Sequence, residues 1–134
     1  MNEAQRLIAE ARTVAENSYS PYSKFRVGAV VIAADGTEYS GCNVENAAYG
    51  ASICAEANAI TTAAANGVRE IHTVAVTCLD GEGCTPCGNC RQLMREFGVS
   101  RVILTDESGA PVDYTLDKLL PMSFGPEDLR SSTK

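Results

Sequence analysis

Between Glu3 and Glu16 the apolar residues Leu7, Ile8, Ala11, Val14 and Ala15 recur at steps of three and four, which predicts an amphipathic helix. The polar stretch Asn17 to Tyr22 contains Pro21 and ends that helix. Arg26 to Ala33 and Glu38 to Val44 flank Ala34-Asp35-Gly36-Thr37, whose Asp-Gly pair predicts a hairpin. Ala47 to Ser52 is small and glycine-containing, as in a loop, and Ile53 to Ala65 reads as an Ala-rich helix stopped by Asn66-Gly67. Ile71 to Cys78 is β-branched and alternating, a strand. After a loop from Leu79 to Pro86 come a helix from Gly88 to Phe97, closed by Gly98, and a strand from Arg101 to Thr105. The turn Asp106-Glu107-Ser108-Gly109 allows an antiparallel return near Val112 to Tyr114, before a last short helix from Leu116 to Leu120. A hairpin followed by alternating strands and helices implies an α/β layered domain around a mixed sheet.

No repeat, linker or low-complexity stretch divides the 134 residues, so 1–134 is expected to be one domain, with 128–134 as a flexible tail. No run approaches the ~20 apolar residues of a membrane span, and the start lacks a basic-then-apolar leader pattern. The expectation is a cytoplasmic protein without membrane partners. The net charge is −6 and Lys and Arg are scattered. That pattern argues against a nucleic-acid partner and favours a small uncharged ligand.

Six cysteines then change the picture. In a chain with no leader and enough length for its own core, they suggest metal binding before disulfides. Cys54-Ala55-Glu56 and Pro86-Cys87-Gly88-Asn89-Cys90 both fall where loops become helices. Helix starts favour thiolate over thiol. Cys87 and Cys90, three residues apart, share one helical face, and Cys54 completes a three-thiolate shell. Three protein ligands leave zinc one open position, as catalytic sites require. Glu56 is then placed for proton transfer beside a metal-activated water. A Cys-x-Glu followed by Pro-Cys-x-x-Cys is the established signature of zinc-dependent deaminases. The competing reading is a closed structural site of Cys54, Cys84, Cys87 and Cys90. Cys42 and Cys78 fall in strands as buried small hydrophobes, and His72, the one histidine, reads as a surface or edge residue.

From about Ala4 to Glu127 the chain resembles the cytidine deaminase family in its small three-cysteine form. The matching stretches are residues 20–29 (Ser-Pro-Tyr-Ser-Lys-Phe-Arg-Val-Gly-Ala) and 41–50 (Gly-Cys-Asn-Val-Glu-Asn-Ala-Ala-Tyr-Gly). Cys54-Ala55-Glu56, residues 86–92 (Pro-Cys-Gly-Asn-Cys-Arg-Gln) and residues 119–124 (Leu-Leu-Pro-Met-Ser-Phe) complete the match. The resemblance implies a three-layer fold with a mixed five-stranded sheet flanked by helices. It also implies hydrolytic deamination of cytidine and 2′-deoxycytidine in pyrimidine salvage, with one Zn²⁺ per subunit held by Cys54, Cys87 and Cys90. Zinc-activated hydroxide attacks the amine-bearing carbon while Glu56 shuttles protons and holds the ring nitrogen. Phe25 lies against the pyrimidine, Asn43 and Glu45 bind the ribose hydroxyls, and the Ala55 N–H and Cys87 carbonyl meet the base edge. It further implies a homotetramer in which Ala47, Tyr49 and Phe124 reach a neighbouring subunit's site. From the residues alone, Phe25 also fits a core aromatic, Asn43 and Glu45 an exposed strand face, and Tyr49 a core or turn residue.

One position departs from the family pattern. Ala57 stands directly after Glu56, where such enzymes commonly place an Arg to offset the thiolate charge. Arg91, helix N-termini and Asn58 are the candidate substitutes, and an uncompensated site implies a less electrophilic metal. Two alternatives therefore stand beside cytidine deamination: a deaminase of a modified cytidine or blasticidin-like analogue, and a catalytically silent zinc- or nucleoside-binding protein.

Overall fold

The computed structural model describes residues 1–81 and 83–131. Helix α1 (Glu3–Ala15) opens with a reciprocal cap: Asn2 Oδ1 accepts the Gln5 N–H at 2.9 Å, and Gln5 Oε1 accepts the Asn2 N–H at 3.0 Å. Strands β1 (Val27–Ala33) and β2 (Glu38–Cys42) form the expected hairpin, followed by a single 3₁₀ turn at Tyr49–Ala51. Then come α2 (Ala55–Ala65), β3 (Ile71–Cys78), α3 (Gly88–Glu96), β4 (Arg101–Thr105), β5 (Pro111–Thr115), α4 (Leu116–Leu119) and α5 (Pro126–Ser131).

The five strands make one mixed sheet in the order β2-β1-β3-β4-β5. Only β3 and β4 run parallel; the other pairs are antiparallel. Strand periodicity sorts the side chains into two cores. Leu7, Ile8 and Ala11 of α1 pack on Val30, Ala75 and Ile103. Ala29, Val31, Val74, Val76, Val102 and Leu104 point the other way, onto Ala55, Ala59, Ile60, Cys90 and Met94 of α2 and α3. The result is three layers, with α1 on one face and the two cysteine-bearing helices on the other. Among the described residues, no helix is long and apolar enough to cross a membrane.

Gly41 sets how closely α2 approaches β2: a Cβ there would stand 2.6 Å from the Ala59 nitrogen and 3.0 Å from the Ala55 carbonyl oxygen. Asn58 Nδ2 donates to the Cys42 carbonyl at 2.9 Å across the same contact.

Three boundaries differ from the sequence reading. Helix α2 begins at Ala55 because Ile53 is extended and exchanges both backbone hydrogen bonds with Val44 (2.9 and 2.8 Å). For the same reason β2 ends at Cys42, and Val44 survives only as an isolated bridge. Residues 128–131, expected to begin a tail, belong to α5; Pro126 opens that helix, and Asp128 Oδ2 accepts the Gly125 N–H at 2.8 Å. Residues 132–134 of the expected tail lie outside the described residues.

Candidate active site

Cys54 is the N-cap of α2 and Cys87 the N-cap of α3, and no side chain caps either helix. The two thiols therefore sit where backbone N–H groups are left unpaired by the helix. One turn on, Cys90 is 1% exposed. The Cys54, Cys87 and Cys90 sulfurs all lie within 4.8 Å of one another, and Cys54 Sγ is 3.9 Å from Cys87 Sγ. Tetrahedral zinc with Zn–S bonds near 2.3 Å requires sulfurs about 3.8 Å apart, so this donor set fits the ion. Cys84 is not in this cluster. It packs half-buried at the core edge, and burial, followed by the nearby Cys78, pushes its thiol up to about 12. The closed four-thiolate reading therefore fails on geometry.

The thiols differ in environment. Burial pushes Cys90 up strongly, with Glu56 and the other two sulfurs adding to it. Burial also raises Cys54, as does the charge of Cys87. At Cys87 burial acts upward too, but the Cys90 and Asn89 N–H groups and the neighbouring thiols outweigh it, so its net shift is down. The helix start thus does what was expected of it for Cys87 but not for Cys54, where burial prevails.

Glu56 lies in the first turn of α2 and is 4% exposed. Burial raises its carboxyl above the ordinary value, and its own N–H and the Cys90 thiol oppose that rise. A buried carboxyl in reach of a thiol of the three-cysteine cluster is suited to carrying a proton.

Phe25, Asn43 and Glu45 also come together, in a way their spacing did not reveal. Asn43 Oδ1 accepts the Val27 N–H at 2.9 Å and the Ser18 hydroxyl at 2.5 Å, and Asn43 Nδ2 donates to the Phe25 carbonyl at 2.8 Å. Glu45 Oε1 accepts the Tyr22 and Ser23 N–H groups at 3.0 and 3.1 Å, and Oε2 accepts the Ser23 hydroxyl. Those bonds hold the Glu45 carboxyl below its usual range, the Ser23 hydroxyl first among them. Both residues are half-buried and stitch down the loop between α1 and β1. Phe25 is 37% exposed, so it is not a core aromatic. Val44, between Asn43 and Glu45, bridges to Ile53, immediately before Cys54. That bridge ties the polar pair to the thiol cluster.

Glu45 lines a cavity of about 360 Å³ with Tyr22, Ser23, Tyr49 and Ser52; Cys54, Glu56 and Phe25 are not among its lining residues. Tyr49 is 76% exposed, its ring edge-on to Tyr22 with centroids 6.0 Å apart. Ala47 is exposed, Ala55 is buried, and Phe124 is exposed beyond α4. The Cys87 carbonyl accepts the Arg91 N–H at 3.0 Å. Neither of the two side chains expected to offset the thiolates hydrogen-bonds a cluster sulfur among the described residues. Arg91 donates to the Pro86 and Leu119 carbonyls at 3.0 and 2.6 Å, and Asn58 to Cys42. His72 is exposed on β3, and Cys78 is buried while Cys42 is only half-buried.

Residues 1–106 match the family model of the cytidine and deoxycytidylate deaminase zinc-binding region. The chain belongs to that family. It is 47% identical over 130 residues to a cytidine deaminase of Sporosarcina psychrophila, covering 95% of each. To one from Halalkalibacterium halodurans it is 39% identical over 129 residues, covering 95% of this chain and 98% of that one. Its fold matches the crystal structure of cytidine deaminase from Burkholderia pseudomallei with a TM-score of 0.84 at 40% identity, over 92% of this chain and 100% of that one. The family model's zinc-binding description agrees with the three-thiol cluster, and the structural likeness agrees with the mixed five-stranded sheet.

Proposed function

We propose that this chain hydrolyses cytidine and 2′-deoxycytidine to uridine and 2′-deoxyuridine with release of ammonia, as a step of pyrimidine salvage. The carrying observation is the Cys54–Cys87–Cys90 cluster with buried Glu56 in the first turn of α2. Cys54, Cys87 and Cys90 would hold one zinc ion per subunit, which when bound would supply activation of water for hydrolysis at the amine-bearing carbon. Buried Glu56 would hold the ring nitrogen and carry protons from the attacking water to that nitrogen and to the departing amine. The Ala55 N–H and the Cys87 carbonyl mark the base edge. Phe25 supplies an apolar wall for the pyrimidine.

Hydrogen-bond accounting narrows the sugar. A carboxylate offers about four lone-pair positions, and the loop fills three on Glu45. Both lone pairs of Asn43 Oδ1 are taken, and one Nδ2 hydrogen is spent on Phe25. One acceptor on Glu45 and one donor on Asn43 remain, which a single hydroxyl would fill by donating to the first and accepting from the second. With 2′-deoxycytidine also a substrate in this reading, that hydroxyl is the 3′ one, and loss of the 2′ one is tolerated. In a panel of cytidine, 2′-deoxycytidine and 3′-deoxycytidine, followed by ultraviolet absorbance, 2′-deoxycytidine should match cytidine within a few-fold. The 3′-deoxy analogue should lose roughly 10–100-fold in kcat/KM, the worth of a hydrogen bond to a charged group. Equal losses for both analogues would refute this accounting.

The family resemblance implies a homotetramer with shared sites, in which exposed Tyr49 and Phe124, with Ala47, would reach a neighbouring subunit's site. Sedimentation should give a tetramer; a fully active monomer would refute sharing.

A further inference from the structure

The loop between α1 and β1 contains a bridge that the roles given to Glu45 and Phe25 leave unused. The Ser23 hydroxyl accepts the Phe25 N–H at 3.0 Å and donates to Glu45 Oε2. Its direction is forced, because an amide N–H only donates and an ionised carboxylate only accepts. Lys24, between the two, has φ of 62°, a left-handed conformation uncommon outside glycine, and its N–H is held by the Ser20 carbonyl at 3.0 Å. That reversal brings Phe25 back over the Ser23 hydroxyl. On its other side the Phe25 carbonyl is held by Asn43, and its ring lies against Gly81, where a Cβ would stand 3.1 Å from Cε1. Both peptide groups of Phe25 are thus fixed, one by Asn43 directly and one by Glu45 through Ser23.

We propose that Ser23 is a positioning residue that makes one rigid unit of the sugar-reading carboxylate and the wall that orients the base. This rests on the reading of Glu45 and Phe25 as sugar and base contacts. Loss of the hydroxyl frees a Glu45 oxygen to swing and leaves the Phe25 N–H without its acceptor, so both ends of the nucleoside lose registration together. A mere loop staple would instead be replaceable by any small residue.

The test is steady-state deamination of cytidine across pH by zinc-loaded Ser23→Ala, Ser23→Thr, Glu45→Ala and the Ser23→Ala/Glu45→Ala double variant, with zinc content measured for each. Ser23→Ala should raise KM about tenfold, with kcat changed less than about threefold, and Ser23→Thr should retain near-normal KM. The acid limb of the KM profile should move to higher pH in Ser23→Ala, because Glu45 loses the donor that holds its carboxyl down. Lys24, Tyr22 and Tyr49 are the other ionisable side chains beside Glu45, and no second carboxylate lines that cavity among the described residues. In the double variant the losses should fall short of the product of the single ones. Ser23→Ala with unchanged KM and acid limb, or losses that simply multiply, would overturn the proposal. Loss of zinc or of folded structure in Ser23→Ala would also overturn it, by showing a general structural role. If Glu45→Ala itself leaves KM unchanged, the sugar reading fails; if it raises KM while Ser23→Ala does not, only the Ser23 inference fails.

Discussion

Asn58 Nδ2 lies 2.9 Å from the Cys42 carbonyl, fastening the helix that carries Cys54 and Glu56 to the strand end that leads into Asn43 and Glu45. Asn58→Ala strands that carbonyl at a half-buried contact. The expected cost is about 1–2 kcal/mol in denaturant unfolding. Zinc affinity should fall with it, since α2 presents one of the three thiols. Unchanged stability would show that water replaces the amide without loss.

Ala57 leaves the thiolate cluster without the Arg common in the family, and neither Arg91 nor Asn58 turns toward the sulfurs. Without a side-chain hydrogen bond to the sulfurs, a bound zinc would be less electrophilic than one beside such an Arg. Ala57→Arg should therefore raise cytidine turnover severalfold at constant zinc content. An unchanged rate and rate–pH profile would contradict this.

The C-terminal strap is gripped from α3. Gln92 Nε2 donates to the Phe124 carbonyl at 2.8 Å, Arg95 Nε donates to Ser123 Oγ at 2.9 Å, and Arg95 also pairs with Glu127. On the proposed reading that Phe124 reaches a neighbouring subunit's site, Arg95→Met should raise KM about fivefold to tenfold without loss of zinc. Phe124→Ala should raise it at least as much. If both variants keep the wild-type KM, Phe124 has no part in the site.

Asp80 accepts from the Arg26 side chain (3.0 and 3.1 Å) and from its N–H (2.9 Å), next to Phe25. The Arg26 side chain, then its N–H, holds the Asp80 carboxyl below the usual range. A carboxyl depressed in the folded state contributes stability above its unfolded pKa and loses it as pH falls through the folded value. Asp80→Asn should thus be less stable than wild type at neutral pH, with the gap closing below the ordinary carboxylate range. A gap independent of pH in denaturant titrations would refute that linkage.

The strands, the three long helices and the metal-type cysteines were legible in the sequence because each is a local pattern: period two in Ile71–Cys78, period 3.6 in Glu3–Ala15, fixed spacing in Cys87 and Cys90. What escaped is what depends on distant partners. Helix α5 is short and charged, and it packs through Arg95, about thirty residues back. The Val44–Ile53 bridge shortened both a strand and a helix through pairing nine residues apart. Likewise the alternation of Asn43 and Glu45 showed a shared face but not that the face clamps Phe25. Spacing gave no sign that Cys84 stands clear of the cluster, because three further residues of irregular loop set its direction.

Glu56→Gln tests the central claim most directly. Both proteins are loaded with zinc, their metal content is measured, and cytidine absorbance is followed. Wild type should convert cytidine to uridine, and the variant should bind the same zinc with turnover lower by roughly 10²–10⁴-fold, the usual worth of a positioned proton-transfer group. A Gln variant that deaminates at the wild-type rate, or one that loses its zinc, would contradict the account.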